Sequence, residues 1–389
     1  LNGQTNLFIN LDRLNLKILR ARLRSCHLDY EMKCLPKFTS HRSEVAMLES
    51  VQLGRNSGLL VSKLCLGTMN FGEPGRGHQG DWTLDATKAE PIFRAAIDSG
   101  VNYFDCANVY SIGASEEVVG KLLNKLLPRD EYILTTKVSF PMGRKPNQSG
   151  LSRKHIMESV DRSLKRLGHE YIDQLIIHRH PHSIPGAAIT PLEETMEALN
   201  DVVKAGKALY LGASSMFSWQ FVEMQMLAEL KGWQKFISMQ NHYNLIYREE
   251  EREMIPYCSN SGVAVTPWSP LARGILAGAY KGSFDKGTTT RSSGQDRRRT
   301  ESLYHGAAKF DIAARVETVA EKYGVKPAQI AIAWVLKNEA ITCPVVGVSK
   351  VEQLEGLVAA TQLKIEAEDI AYLEELYQPV DNLLSLGAS

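Results

Sequence analysis

The chain has 389 residues, with 45 basic and 44 acidic side chains, so its formal net charge is +1. A charge this close to zero excludes an overall field that would draw the protein to nucleic acid or to an anionic membrane. No uninterrupted apolar run approaches the roughly 18 residues that a membrane span needs. The six cysteines are scattered, without a CxxC pair or a histidine cluster at metal-ligand spacing. We therefore expect reduced thiols, no metal site, no nucleic-acid or membrane partner, and a cytoplasmic protein.

Residues 1–46 differ in composition from the rest of the chain. The stretch LDRLNLKILRARLRSCHL is basic and apolar, and Asp12 is the only acidic residue before Asp29. Such an arginine-rich segment is typical of transit peptides, although this one has few serines. Met47 follows it and is a candidate start site. We expect a leader or tail outside the fold over 1–46, with its role left open, and a barrel domain over 47–389.

Short apolar strands alternate with amphipathic helices from about residue 53 onward. Such alternation predicts parallel βαβ units. The number of strands is even, and the strands are too apolar for a sheet with one face exposed to solvent. Both observations favour a closed (β/α)8 TIM barrel. A doubly wound open sheet is the alternative, but no GxGxxG motif follows the first strand. The predicted strands lie at 61–67, 101–105, 132–138, 172–178, 208–214, 236–241, 263–269 and 341–347.

One long segment interrupts this alternation. Residues 274–307 are rich in glycine, serine and arginine and show little periodicity. Loops of this length inside compact domains are usually lids, binding loops or disordered. The run Arg297–Arg299 indicates a loop that is solvated or faces a phosphate. The sequence thus predicts a long loop after strand seven, and a C-terminal helix completes the barrel.

Four ionisable residues fall at the carboxyl ends of three consecutive predicted strands, where barrel enzymes carry their active sites. Asp105 ends the second strand, and Tyr110 follows five residues later. Lys137 lies near the end of the third strand, and His178 ends the fourth. A lysine on an apolar strand is costly to bury without a partner, and Asp105 supplies one. The four residues together predict a catalytic site.

This pattern of Asp-x₄-Tyr, then Lys, then His resembles the catalytic tetrad of the aldo-keto reductase superfamily. The stretches LCLGTMNFG, GASSM, SMQNHYNLIYREEE, TPWSPLARG and GVSKVEQLE resemble it too, and together they cover about residues 51–378. The closest resemblance is to bacterial reductases of the YajO type, with potassium-channel β subunits as more distant relatives. The resemblance implies NADP-dependent reduction of aldehydes or ketones to alcohols by hydride transfer, with Tyr110 as the proton donor.

The resemblance also implies a role for each member of the tetrad. A free tyrosine has a pKa of about 10, too high for an efficient donor near neutrality. The cation of Lys137 should lower that pKa, and Asp105 should hold Lys137 charged and in place. His178 should orient the carbonyl oxygen of the substrate by a hydrogen bond.

Cofactor residues follow from the same resemblance. Two serines and a glutamine would hold the carboxamide of NADP, a tryptophan would stack on the nicotinamide, and the segment after strand seven would follow the pyrophosphate. The segment after strand eight would bind the 2′-phosphate, although Gly356 and Leu357 stand where the family often has Glu-Asn. The implied cofactor residues are Gly67, Thr68, Met69, Ser214, Ser215, Gln240, Trp268, Ser269, Leu271, Arg273, Gly274, Gly347, Ser349, Lys350 and Gln353.

The expected partner is a small-molecule carbonyl substrate, held by Phe71, Phe140 and Arg179 in an aromatic cleft with a basic edge. Such a cleft suits aryl aldehydes, quinone-like ketones and small sugar aldehydes equally. Two alternatives stay open: an NADP-binding regulatory subunit with little turnover, and a barrel enzyme that converts sugar phosphates without net redox chemistry. The sequence leaves the oligomeric state open.

Overall fold

The computed structural model of the chain describes residues 48–77, 80–184, 187–294, 296–305 and 308–381. The predicted leader over 1–46 lies outside the described residues. The described residues all lie within one compact unit. No helix within the described ranges is long and apolar enough to cross a membrane.

Eight parallel strands form the central sheet. A parallel bridge joins Val265 to Ile341, and the Thr342 amide donates to the Val265 carbonyl at 2.9 Å, so the last strands meet and the sheet closes. The predicted (β/α)8 barrel is therefore confirmed. Its strands are β3 (Cys65–Gly67), β4 (Tyr103–Asp105), β5 (Ile133–Val138), β6 (Ile172–Ile177), β7 (Ala208–Ser214), β8 (Phe236–Gln240), β9 (Ala264–Val265) and β10 (Val345–Val346). In the sheet they lie in the order β10-β3-β4-β5-β6-β7-β8-β9.

The first predicted strand, 61–67, is divided in the structure. Its first part belongs to an antiparallel hairpin of β1 (Ser50–Gln52) and β2 (Leu60–Ser62), and only its end forms β3. The hydroxyl of Ser62 donates to the Leu64 carbonyl at 2.6 Å and turns the chain between the two parts. Both parts are apolar and extended, so their composition alone did not separate them.

The hairpin covers the amino-terminal end of the barrel. Leu53 and Val61 are fully buried and pack with residues from inside the barrel, including Cys65 and Tyr103. Gly54, with φ of 73°, approaches the chain just before β9 so closely that a Cβ would lie 2.7 Å from the Ala264 backbone nitrogen. Only glycine combines this conformation with this approach. The candidate active site lies at the opposite end of the barrel, at the carboxyl ends of the strands.

Amphipathic helices surround the sheet, and the third of them shows why they form where they do. It spans Arg153–Leu167, Ser152 caps it by accepting from the His155 amide at 3.3 Å, and Gly168 ends it in the left-handed conformation. Ile156 and Val160 lie on its buried face. The helices are α1 (Ala86–Asp98), α2 (Ala114–Leu126), α3 (Arg153–Leu167), α4 (Leu192–Lys204), α5 (Ser218–Lys231), α6 (Met254–Ser261), α7 (Thr290–Ser293), α8 (Asp296–Leu303), α9 (Lys309–Tyr323), α10 (Pro327–Leu336), α11 (Val351–Ala360) and α12 (Ala367–Glu374).

The long segment after the seventh barrel strand, β9, is more regular than predicted. It carries the short helices α7 and α8, where the sequence indicated only a loop. The carboxylate of Asp296 forms ion pairs with Arg273 and Arg291, which holds the segment together. Ion pairs between residues far apart in sequence produce no short-range pattern, so the periodicity of a short segment does not predict them.

Candidate active site

The four predicted catalytic residues meet at the carboxyl ends of β4, β5 and β6. Asp105 is the last residue of β4, Lys137 lies in β5, and His178 directly follows β6. Tyr110 begins a short 3₁₀ turn at Tyr110–Gly113. The parallel register places Asp105 opposite Thr135 and Lys137 opposite Ile176, so the strand ends line up on one rim.

Lys137 is fully buried, and three oxygens satisfy its ammonium group. Its Nζ donates to Asp105 Oδ1 at 2.7 Å, to Asp105 Oδ2 at 2.6 Å and to the Cys106 carbonyl at 2.8 Å. Burial by itself lowers the pKa of Lys137, but the charges of Asp105 and Tyr110 outweigh burial and raise it. The site therefore holds a permanent buried cation.

Tyr110 lies beside that cation. The Lys137 Nζ is 5.2 Å from the centroid of the Tyr110 ring, and the His178 ring meets the same ring edge-on at 5.9 Å. Burial raises the pKa of Tyr110, the charge of Lys137 lowers it, and Asp105 raises it again. The net shift is upward, which differs from the lowered pKa that the sequence led us to expect. Lys137 offsets only part of the effect of burial, and the charge of Asp105 acts against Lys137.

His178 is a buried, neutral imidazole. Burial lowers its pKa well below the ordinary value, and the positive charges of Lys137, Arg179 and Arg299 lower it further. Its ring packs edge-on against Phe140, with centroids 4.9 Å apart. Its Nδ1 has no hydrogen-bond partner among the described residues. A neutral imidazole presents one N–H donor and one acceptor, which suits it to bind a carbonyl oxygen.

The predicted carboxamide residues also come together. Ser214 ends β7 and Gln240 ends β8, and the Ser214 hydroxyl donates to the Gln240 carbonyl at 2.8 Å. The Gln240 Nε2 donates to Asp105 Oδ1 at 3.0 Å, which connects this corner to the tetrad. Ser215 has a φ of 52°, a left-handed conformation that non-glycine residues adopt mainly where the surroundings require it.

Trp268 is half-buried and fixed by two contacts. Its ring lies flat against His242, with centroids 4.1 Å apart and planes 6° apart. Its Nε1–H donates to the Ser215 hydroxyl at 3.0 Å. The Tyr304 hydroxyl, from the segment after β9, lies 2.7 Å from His242 Nε2. This arrangement connects the long segment to the carboxamide corner, and no local pattern of residues indicated it.

A buried acid behind this corner was also missed. The Asn241 side chain accepts from the Ser215 amide at 2.8 Å and donates to Glu250 Oε2 at 2.5 Å. Burial raises the pKa of Glu250 to about 7. In the sequence Glu250 lies in a run of three glutamates, which predicts a turn exposed to solvent. Only its neighbours in space distinguish it from Glu249 and Glu251.

The chain turns sharply at the predicted pyrophosphate segment. Ser269, Ala272, Arg273 and Gly274 all have positive φ, between 49° and 99°. Each non-glycine residue in this region costs about 1–2 kcal/mol, and such strain concentrates at binding sites. Leu271 lies within this turn and is half-buried. The side chain of Arg273 is already engaged, since it pairs with Asp296 and donates to Thr300 Oγ1 at 3.2 Å.

The predicted 2′-phosphate residues lie together and exposed after β10. Gln353 Oε1 accepts from the Ser349 amide at 2.8 Å, the Ser349 hydroxyl at 3.2 Å and the Lys350 amide at 3.2 Å. Gln353 therefore also caps α11. Gly347 lies beside Asn70, and a Cβ on Gly347 would lie 3.3 Å from Asn70 Nδ2.

The residues after β3 support the neighbouring strands. A Cβ on Gly67 would lie 2.8 Å from Val345 Cγ1, so the close approach of β3 and β10 needs glycine there. The hydroxyl of Thr68 donates to the Asp105 carbonyl at 2.9 Å and positions the backbone of Asp105. Met69 is half-buried at the same rim.

The predicted substrate residues separate into two groups. Phe140 and Arg179 lie at the rim, with the Arg179 guanidinium 5.2 Å from the centroid of the Phe140 ring. Phe71 is fully buried, with its ring 5.3 Å from that of Phe93. The structure thus places Phe71 in the core rather than on the surface of a cleft, because its ring packs between the sheet and α1.

Comparison with known proteins identifies the family. The model of the aldo/keto reductase family matches residues 63–378. A fungal protein from Schizosaccharomyces pombe, named "Putative aryl-alcohol dehydrogenase", is 47% identical in an alignment of 349 residues that covers 84% of this chain and 95% of the relative. Versiconal hemiacetal acetate reductase from Aspergillus parasiticus is 44% identical over 350 residues, covering 85% of this chain and 98% of the relative. The chain belongs to the aldo/keto reductase family.

These two relatives are fungal, whereas the sequence resemblance pointed most closely to bacterial reductases. An aldo-keto reductase from Fusarium vanettenii is similar as well, at 42% identity in an alignment of 349 residues that covers 83% of this chain and 90% of the relative. The closeness to bacterial reductases and the more distant relation to channel β subunits stay predictions.

Proposed function

We propose that this chain is an NADP-dependent oxidoreductase that reduces aldehydes or ketones to alcohols, with Tyr110 as the proton donor. The observation that carries the proposal is the buried Lys137 cation, held by Asp105 beside Tyr110 and a neutral His178. A reductase needs a proton donor for the developing alkoxide. It also needs a positive charge that stabilises the proton donor after the donor has lost its proton. The names of the fungal relatives support a reaction of this class.

The residues present fit a nicotinamide dinucleotide. Ser214, Ser215 and Gln240 offer hydroxyl and amide groups to a carboxamide, and the half-buried Trp268 offers an aromatic face. When bound, NADPH supplies a hydride to the carbonyl carbon. The chain's own groups do the rest: His178 orients the carbonyl oxygen, and the Tyr110 hydroxyl protonates it. Lys137 stabilises the tyrosinate that remains, which then regains a proton from water.

Replacement of Tyr110 by phenylalanine tests the assignment of the proton donor. NADPH consumption, followed by its absorbance with 4-nitrobenzaldehyde as the acceptor, should fall at least 100-fold, because general acid catalysis contributes about 10²–10⁴. The affinity for NADPH, measured by protein fluorescence, should change little since the ring is kept. Tyr372→Phe is the matched control, because Tyr372 is exposed on α12.

Two outcomes would contradict this proposal. Near-normal turnover of Tyr110→Phe would remove Tyr110 from the mechanism. Absence of NADPH oxidation by any aldehyde in the unaltered protein, with tight cofactor binding, would favour a regulatory NADP-binding barrel instead.

The preference for NADP rests on the exposed Lys350 and Ser349 at the start of α11. An ammonium and a hydroxyl are suitable partners for a phosphate dianion. NADPH should bind more tightly than NADH, and Lys350→Ala should reduce the ratio of the two affinities about ten-fold, since a charge-assisted contact contributes about 1.5–3 kcal/mol. Lys364→Ala, at a position outside the candidate site, is the control. Equal affinity of the unaltered protein for both cofactors would refute the preference.

A further inference from the structure

The turn that carries Tyr110 has an unfavourable backbone conformation. Three residues in succession after Tyr110 have positive φ, at 50° for Ser111, 44° for Ile112 and 90° for Gly113. Only glycine adopts such a conformation readily, and a β-branched isoleucine is among the residues least suited to it. Residues in such conformations persist only where their surroundings hold them. The contacts around the turn must therefore stabilise it.

A loop after β3, residues 72–77, binds the turn from one side. The hydroxyl of Ser111, which is fully buried, donates to the Glu73 carbonyl at 2.8 Å and accepts from the Glu73 amide at 3.1 Å. The Arg76 guanidinium donates to the Ile112 carbonyl at 3.1 Å. The Ser111 side chain thus engages both polar backbone groups of a residue 38 positions earlier in the chain, and it joins the loop to the turn.

Two glycines let the loop and the turn approach each other. A Cβ on Gly72 would lie 2.6 Å from Ser111 Cβ, and a Cβ on Gly77 would lie 2.7 Å from Ile112 Cγ1. Both glycines also have positive φ, at 146° and 74°. Any other residue at either position would displace the turn or the loop. The loop therefore fits the turn closely at both Ser111 and Ile112.

The other side of the turn contacts an ion pair. The Arg166 side chain, from α3, lies so near Gly113 that a Cβ there would lie 2.6 Å from Arg166 Cδ. The Arg166 Nε donates to Glu116 Oε2 at 2.6 Å, and Thr136 Oγ1 donates to Glu116 Oε1 at 2.5 Å. Thr136 directly precedes Lys137 in β5. The turn is therefore held between the loop and a carboxylate that is bonded to the strand of Lys137.

The conformation of the turn determines where the Tyr110 hydroxyl lies. Tyr110 is the first residue of the turn, and its ring lies beside the Lys137 ammonium and the His178 ring. Proton transfer needs donor and acceptor within hydrogen-bond distance, and a displacement of about 1 Å can reduce a rate about 100-fold. The Ser111 hydroxyl is itself engaged by Glu73, so Ser111 acts on the reaction through Tyr110.

We propose that Ser111 is a positioning residue for the proton donor. Its hydrogen bonds to Glu73 hold the turn in the left-handed conformation, and the turn holds the Tyr110 hydroxyl beside Lys137 and His178. No role for Ser111 or for the loop over 72–77 was predicted from the sequence. The proposal rests on the proposed function, in which Tyr110 donates the proton.

Ser111→Ala tests the two hydrogen bonds. With 4-nitrobenzaldehyde and NADPH, kcat should fall by about ten-fold or more, because Tyr110 shifts when the turn loses its bonds to Glu73. The affinity for NADPH, measured by protein fluorescence, should change little. Ser57→Ala is the matched control and should keep kcat. Ser57 is also buried and donates to the Leu53 carbonyl at 2.6 Å, but it lies between β1 and β2 at the amino-terminal end of the barrel.

Ser111→Gly separates positioning from stability. Glycine adopts a φ of 50° without strain but brings no hydroxyl. This variant should therefore unfold at a higher urea concentration than Ser111→Ala, while its kcat stays as low. A kcat that recovers together with stability would overturn the proposal, because the backbone conformation would then suffice without the hydrogen bonds.

A third measurement does not depend on turnover. Fluorine NMR of protein labelled with 3-fluorotyrosine reports the surroundings of each tyrosine ring, and the signal that Tyr110→Phe removes is that of Tyr110. This signal should shift in both Ser111 variants and stay in place in Ser57→Ala. If it does so while the unaltered protein reduces no aldehyde, the proposed function fails and the positioning role stands. A Tyr110 signal that neither Ser111 substitution moves would overturn the role of Ser111, and so would a kcat of Ser111→Ala equal to that of the unaltered protein.

Discussion

Glu250 shows how one residue behind the site can link protonation to stability. Its carboxyl group is buried, and its partners are the uncharged side chains of Asn241 and Tyr247. Burial raises its pKa to about 7, while an ordinary glutamate ionises near 4.3. Between these two values the folded protein keeps a proton that the unfolded chain has lost. The folded state therefore loses stability as the pH rises through this window.

Glu250→Gln should remove this loss of stability with rising pH. Relative to the unaltered protein, the variant's free energy of unfolding should rise by about 2.5 kcal/mol between pH 5 and pH 8, because each pKa unit corresponds to about 1.4 kcal/mol. Urea unfolding at the two pH values measures this change. Glu223→Gln, which removes a carboxylate at an exposed position on α5, is the control. A constant difference for Glu250→Gln would mean that the acid is ionised in the folded protein throughout.

At the scale of elements, the segment after β9 is held by one carboxylate. The Asp296 side chain is only 9% exposed and bridges Arg273, in the turn after β9, to Arg291 in α7. Removal of its charge leaves the buried guanidinium of Arg273 and the half-buried guanidinium of Arg291 without this carboxylate. Breaking a buried pair in this way typically costs about 3–5 kcal/mol.

Asp296→Asn should therefore loosen the segment rather than the barrel. Hydrogen exchange should become faster in peptides from 272–305, with protection in β4 to β7 retained, because local opening needs only the contacts of the segment. Asp285→Asn is the control: Asp285 is 80% exposed and pairs with Arg297 at the surface, where an ion pair contributes at most about 1 kcal/mol. Equal exchange in the two variants would show that Asp296 does not hold the segment.

At the scale of the whole molecule, the two ends of the barrel have different roles. The hairpin of β1 and β2 closes one end with apolar packing, and the strands deliver polar side chains to the other. Every residue proposed for catalysis or cofactor binding lies between Gly67 and Gln353. Residues 1–46 remain a proposed tail outside a barrel domain over 47–389, and the cytoplasmic location stays a prediction.

The sequence by itself predicted the barrel and the grouping of the tetrad. Periodicities of two and 3.6 residues report which face of a segment is buried, and eight such alternations allow few topologies. In a parallel barrel all strands end on one rim, so Asp105, Lys137 and His178 had to converge once their strands were recognised. The family resemblance then supplied the roles that we propose for them.

Only the tertiary structure decided what depends on neighbours far apart in the chain. It separated Glu250 from the glutamates beside it, placed Phe71 in the core, and divided the strand predicted over 61–67 between the hairpin and the barrel. It also let the charge of Arg299 lower the pKa of His178, about 120 residues away in sequence, and burial raised the pKa of Tyr110, which the charge of Lys137 alone would have lowered. Burial and electrostatic interaction depend on which residues are close in space. A local sequence pattern predicts those neighbours only within one helix or strand.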